Sequence, residues 1–98
     1  MIRSVQIGPL TFDIKYQDGF VIEEGNQASC CIDDLTITLS RTPLKVLQLK
    51  YLVHEMLEAY NILYDLKLQH QQINQLETIF FDIITSNRHL TEEIEDEI

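Results

Sequence analysis

Residues 34–56 read DLTITLSRTPLKVLQLKYLVHEM, and the spacing of the apolar residues changes within them. Leu35, Ile37 and Leu39 stand at alternate positions, the spacing of a strand with one buried face. Beyond Thr42-Pro43 the apolar residues recur every three or four positions, the spacing of a helix. Thr42 is suited to cap the first free N–H groups, and Pro43 to the first helical position, where it has no hydrogen bond to lose. The chain therefore reads as sheet first and helices after.

Upstream, Val5 and Ile7 precede the turn signal Gly8-Pro9, and Leu10, Phe12, Ile14 and Tyr16 then alternate as far as Asp18-Gly19. That pattern predicts a hairpin. Phe20 and Ile22 extend it weakly, and 23–26 reads as a loop because Gly25 and Asn26 tolerate left-handed backbone. A second hairpin is expected from 28–32 and 35–39 around a two-residue turn at Asp33-Asp34. Downstream, a helix over 44–66 carries Leu49, Leu52, Val53, Met56, Ala59, Tyr60 and Leu63 on one broad side. Leu47, Tyr51 and Ile62 lie on another side, so the helix is expected to pack on several sides. A polar break at Gln69-His70-Gln71-Gln72 precedes a second helix over 73–87 with Ile73, Leu76, Phe80, Ile83 and Ile84 on one stripe. The expected fold is α+β: a small antiparallel sheet of about four strands followed by two packed antiparallel helices.

Ninety-eight residues hold one domain, read as 1–90, with an acidic C-terminal tail over 91–98. Seven Lys and Arg against 16 Asp and Glu give a formal charge of −9, a field that repels phosphate backbones and anionic headgroups. Direct nucleic-acid and membrane binding are not expected; the partner to expect is another protein, with a homodimer as one form of it. The sequence has no apolar run near the roughly 20 residues of a bilayer span and no signal-peptide pattern. Cys30 and Cys31 are adjacent, which opposes normal disulfide geometry and suits a reducing compartment. A cytoplasmic protein is expected.

The chemistry-bearing residues lie in the first helix. His54 and Glu58 are one turn apart on one face and can reach a single cation, while Glu55 leans to the neighbouring side. Two histidines at that spacing, with an intervening Glu as base, form the H-E-x-x-H motif of zinc peptidases; here the string is H-E-x-x-E. Ionisable groups inside an apolar helix need compensation. Glu77, beside the stripe of the second helix, is a carboxylate that could face them, and Asn74 is a second candidate. His54, Glu58 and Glu77 would form a set of one imidazole and two carboxylates, acceptable to Zn²⁺, Mn²⁺ or Fe²⁺. The plainer reading of His54 and Glu58 is an i,i+4 ion pair worth a few tenths of a kcal/mol. His70 and His89 fall in polar segments and read as solvated.

The strings CCIDDLTITLS (30–40), LKYLVHEMLEAYNILYDL (49–66) and IFFDIITSNRHL (79–90) resemble small zincin-like proteins. That family is common in phages and prophages and is related to the ImmA/IrrE-type and SprT-like domains. The likeness spans roughly 10–90 and is most specific at His54-Glu55. It implies a small sheet on two helices, metal ligands from the H-E-x-x-H helix and a Glu on the next, and peptide hydrolysis where these are complete. By the resemblance His54 is the first ligand and Glu55 the general base. Glu58 stands where the second histidine belongs, and the third ligand falls near Asn74, or at Glu77 with a shift of one turn. Replacing imidazole by carboxylate makes the ion a weaker Lewis acid. The expectation is a zincin-like domain that has lost catalysis and acts as a protein-interaction module. The alternative is a minimal divalent-metal-dependent hydrolase on His54, Glu58 and Glu77 with Glu55 as base.

Overall fold

The structure, a computed structural model, describes residues 1–18, 27–90 and 92. Phe20, Ile22, the expected loop over 23–26, Thr91 and the acidic run 93–98 lie outside the described residues. Six elements follow in the order β1 (Ser4–Ile7), β2 (Leu10–Gln17), β3 (Ala28–Cys31), β4 (Thr36–Ser40), α1 (Lys45–Leu63) and α2 (His70–Ser86). The α+β arrangement is the one the periodicity predicts. None of the described helices is long and apolar enough to cross a membrane.

β1 and β2 form the first hairpin, with Ile7 opposite Leu10 across Gly8-Pro9. Along β2, Phe12 and Ile14 are buried while Thr11, Asp13 and Lys15 are exposed, so the strand has one wet face and one dry face. β3 and β4 form the second hairpin, in register from Cys31↔Thr36 to Ala28↔Leu39. Asp33 and Asp34 are the centre of its turn, but the turn is longer than the two-residue connection expected. Leu35 N–H bonds Ile32 C=O at 3.2 Å, and Leu35 adopts a left-handed φ of 52°.

The sheet order is β1-β2-β4-β3, and β2 runs parallel to β4, from Asp13↔Thr36 to Gln17↔Ser40. The sheet is thus mixed rather than wholly antiparallel. Period-two alternation reports which face is buried and carries no strand direction, so this pairing was not readable from the spacing. The dry face holds Ile7, Phe12, Ile14, Ala28, Ile37 and Leu39, and α1 covers it with Leu52 and Ala59.

α1 begins later than the Thr42-Pro43 signal implies. Leu44 is the N-cap and has no side-chain cap bond, and Thr42, two residues before it, donates its backbone N–H to Ser40 Oγ at 3.2 Å. Gln48 Nε2 donates to Pro43 O at 2.8 Å, fastening the first turn to the strand-to-helix link. α1 ends at Leu63, short of 66. α1 meets both the sheet and α2, the packing on more than one side that its apolar residues predict, while Leu47 and Ile62 are exposed.

α2 starts at His70, earlier than expected. Gln69 and Gln72 make a reciprocal capping box, with Gln69 N–H donating to Gln72 Oε1 at 2.8 Å. The polar run is therefore the first turn of the helix and not a break. Among the described residues α2 packs on α1 and on no strand. Descending positions on α1 meet ascending ones on α2 (Glu58 with His70, Lys50 with Glu77), so the pair is antiparallel.

Gly8 ties the two ends of the layer together. Its φ is +57°, and a Cβ there would lie 2.2 Å from the Tyr64 hydroxyl oxygen, while its N–H reaches the Tyr60 hydroxyl at 3.4 Å. Tyr60 and Tyr64 stack with ring centroids 5.8 Å apart. Gly8→Ala should therefore incur both left-handed strain and a clash, costing about 2 kcal/mol. In a chain of this size that lowers Tm by about 8–16 °C, whereas Pro9→Ala in the same turn should shift it far less; circular-dichroism melts of the two variants check this.

Candidate metal centre between the helices

His54 lies on the flank of α1 that looks toward α2 and the β3 edge, because Leu52 and Ala59 take the sheet-facing side. Its side chain is 17% exposed, and Glu77 opposite it is 13% exposed. His54 Nδ1 and Glu77 Oε1 are 2.5 Å apart. A carboxylate only accepts, so the proton is assigned to Nδ1 and the Nε2 lone pair is left facing the other way. Lys50 Nζ is 3.8 Å from Glu77 Oε2 and balances that carboxylate.

Nε2 points at a second acid. Glu58 Oε1 is 3.4 Å from His54 Nε2 and 3.6 Å from His70 Nδ1. The ligand atoms of His54, Glu58 and His70 all lie within 4.8 Å of one another. Separations of 3.4 and 3.6 Å are too long for good N–H···O bonds. Two ligands bound at 2.0–2.1 Å to a tetrahedral zinc stand about 3.4 Å apart. Two of the three separations match that spacing, and the third is within 4.8 Å.

The structure sorts the residues expected from the sequence. His54 and Glu58 come together as ligands would. Glu77 joins them from behind, as the hydrogen-bond partner that orients the imidazole, the role carboxylates commonly take toward metal-binding histidines. Asn74 is exposed and lines the cleft beside His54, Glu55 and Glu77. Glu55 lines that cleft and also a neighbouring one of about 300 Å³, which is formed with Ser29, Cys30, His54, Glu58 and His70. His89 has no place in the cluster.

His70 was missed, and its placement has two causes. The capping box puts it in the first turn of α2. The α1–α2 link is pinned by Asn61, whose Nδ2 donates to Leu68 O at 3.1 Å and whose Oδ1 accepts from Leu68 N–H at 2.8 Å. Asp65 and Lys67 take left-handed φ of 49° and 59° to complete that link. The legible signal was the Gln69-x-x-Gln72 spacing. The set has two imidazoles and one carboxylate, the same composition as H-E-x-x-H with a distal Glu, with His and Glu exchanged between helices.

Cys30 lies beside the acids. Burial, reinforced by the charges of Glu55, Cys31 and Glu58, pushes its thiol up to about 11. Cys31 is exposed, and its Sγ lies 3.4 Å from Asp34 Oδ2. Compared with known proteins, the chain matches no family model, no curated protein and no solved structure.

Two outcomes are expected. Asn61→Ala removes both bonds to Leu68 and should cost about 1–3 kcal/mol; a melt unchanged from wild type would show that the bracket does not hold the link. At pH 8 an alkylating reagent should modify Cys31 well before Cys30, because Cys30 remains protonated there; peptide mass mapping over time reads the order.

Proposed function

We propose that the chain is a zincin-like domain that binds one divalent ion of the zinc class on His54 Nε2, Glu58 and His70, and that the site is arranged for hydrolysis of an extended peptide. The observation that carries this reading is the pair of 3.4 and 3.6 Å separations around Glu58 Oε1, with the His54 imidazole fixed by Glu77. A bound divalent ion supplies a Lewis acid that makes a nearby water more acidic. The residues of the chain do the rest.

Glu55 is the base by position: it follows His54 by one residue and lines the same cleft, where it can take a proton from a water. Glu77 holds the His54 ring in one orientation. Among the described residues β3 is one edge of the sheet, and Ala28, Ser29 and Cys30 line the cleft beside His54 and Glu55. An extended peptide pairing with that edge would bring its backbone past Glu55. Two adjacent free thiols support a reducing, cytoplasmic setting.

A second reading, a domain that binds another protein and does no chemistry, is favoured by the formal charge of −9 and by apolar residues left exposed on α2. The two readings part on Glu55.

Isothermal titration with Zn²⁺ should give one ion per chain. At a free concentration a hundredfold above Kd the ion should add about 2.7 kcal/mol of stability. Glu77→Gln should weaken binding by about 10–100-fold, and His54→Ala or His70→Ala by more. Glu55→Gln should retain the ion while losing about 10²–10⁴-fold in kcat on a quenched-peptide library. Absence of zinc binding would refute the metal centre. Zinc binding with no Glu55-dependent cleavage would leave the interaction module as the function.

A further inference from the structure

α2 presents an apolar face that no described part of the chain covers. Ile79, Phe80, Ile83 and Ile84 are 54%, 42%, 44% and 46% exposed. At 100° per residue these four positions, with Leu76, fall within an arc of about 140°. His70, Asn74 and Glu77 lie to one side of that arc, so the stripe and the metal-binding cluster occupy different flanks of one helix. The arc also contains Asn87, the C-cap, whose Nδ2 donates to Ile83 O at 3.2 Å.

From the geometry we infer that this stripe is a dimer interface, and that its occupant is the α2 stripe of a second copy of the chain. Three observations converge on that occupant. The first is area. Taking roughly 200 Å² for a fully exposed large apolar side chain, the four exposures amount to roughly 350–400 Å² of apolar surface. A standard interface buries about 800 Å² per partner, a little over half of it apolar, or about 450 Å². The stripe, extended by half-buried Leu76 and the stems of its polar neighbours, is of that size.

The second is charge. The chain carries −9, and two copies repel wherever their acids meet. Within this arc no residue is ionisable, so the stripe is a place where two such chains can approach without juxtaposing carboxylates. A basic partner would gain nothing from docking on a surface without acids.

The third is pattern. Leu76, Phe80, Ile83 and Asn87 follow alternating four- and three-residue steps, the seam of helices that pack on helices, and Ile79 and Ile84 widen it on both sides. A face wider than a two-helix seam needs more than one neighbouring helix. Two α1–α2 hairpins related by a twofold axis supply that, because each α2 would pack on its own α1 and on the other copy's α2.

Sedimentation equilibrium of the full chain, measured from about 1 to 200 μM, should report twice the 11.5 kDa chain mass. Phe80→Asp and Ile83→Asp should each shift the mass to that of one chain while leaving the helical circular dichroism unchanged. Should either variant unfold, a mixture of Ile83→Asp with Ile83→Lys distinguishes the cases, because the two are expected to pair with each other at a mass neither forms alone. A wild-type chain that stays monomeric throughout the range overturns the inference and assigns the face to a different protein. A dimer that survives both Asp substitutions also overturns it, by placing the interface elsewhere.

Discussion

Ala59 has no solvent exposure, and the docking of α1 on the sheet depends on it. A methyl group at that position lets the helix axis approach the dry face, where Leu52 joins Phe12, Ile14, Ile37 and Leu39 in one cluster. Close approach fixes rotation as well as distance, since with Leu52 and Ala59 pointing down, His54 and Glu58 have only the flank left to occupy. Among the described residues α2 touches α1 and no strand. Its position there follows from how α1 lies, and so do the cluster on one flank and the apolar stripe on the other.

Polar side chains in an apolar helix lose hydration when a second helix covers them, and they need replacement partners. His54 shows how the replacement is arranged here. One ring nitrogen is held by Glu77, whose other oxygen is near Lys50, and the second ring nitrogen faces Glu58. The arrangement neutralises in sequence: cation, carboxylate, imidazole, carboxylate. His70 extends the row by one more imidazole, its ring centroid 5.6 Å from that of His54 at a 70° interplanar angle.

Much of the fold was legible because burial and periodicity are the same information. Phe12, Ile14, Ile37 and Leu39 alternate in the sequence and are buried in the structure for one reason, the covering of a single sheet face. Strand direction was not legible, since the β2–β4 pairing joins residues separated by 23 positions and leaves no local trace. At the start of α2, side-chain hydrogen bonds overrode composition: Gln69 and Gln72 turned a polar run into a first turn. In the site, His54 and Glu58 followed from their spacing alone. His70 did not, because its place opposite Glu58 depends on Asn61 closing the link by two bonds to Leu68, a contact between residues seven apart that no helical or strand repeat encodes.

The position of β4 bears on how the chain reaches this state. Each hairpin closes over a few residues and can form early, whereas the central parallel pairing must bring together strands whose intervening chain already includes β3. Closing a loop of that length spends entropy before any contact repays it. The β2–β4 pairing is thus the costliest contact of the sheet in loop entropy, and the dry face on which α1 rests is complete only with it. The seat of α1, and with it the cluster on its flank, therefore rests on the one pairing of the sheet that no short turn closes.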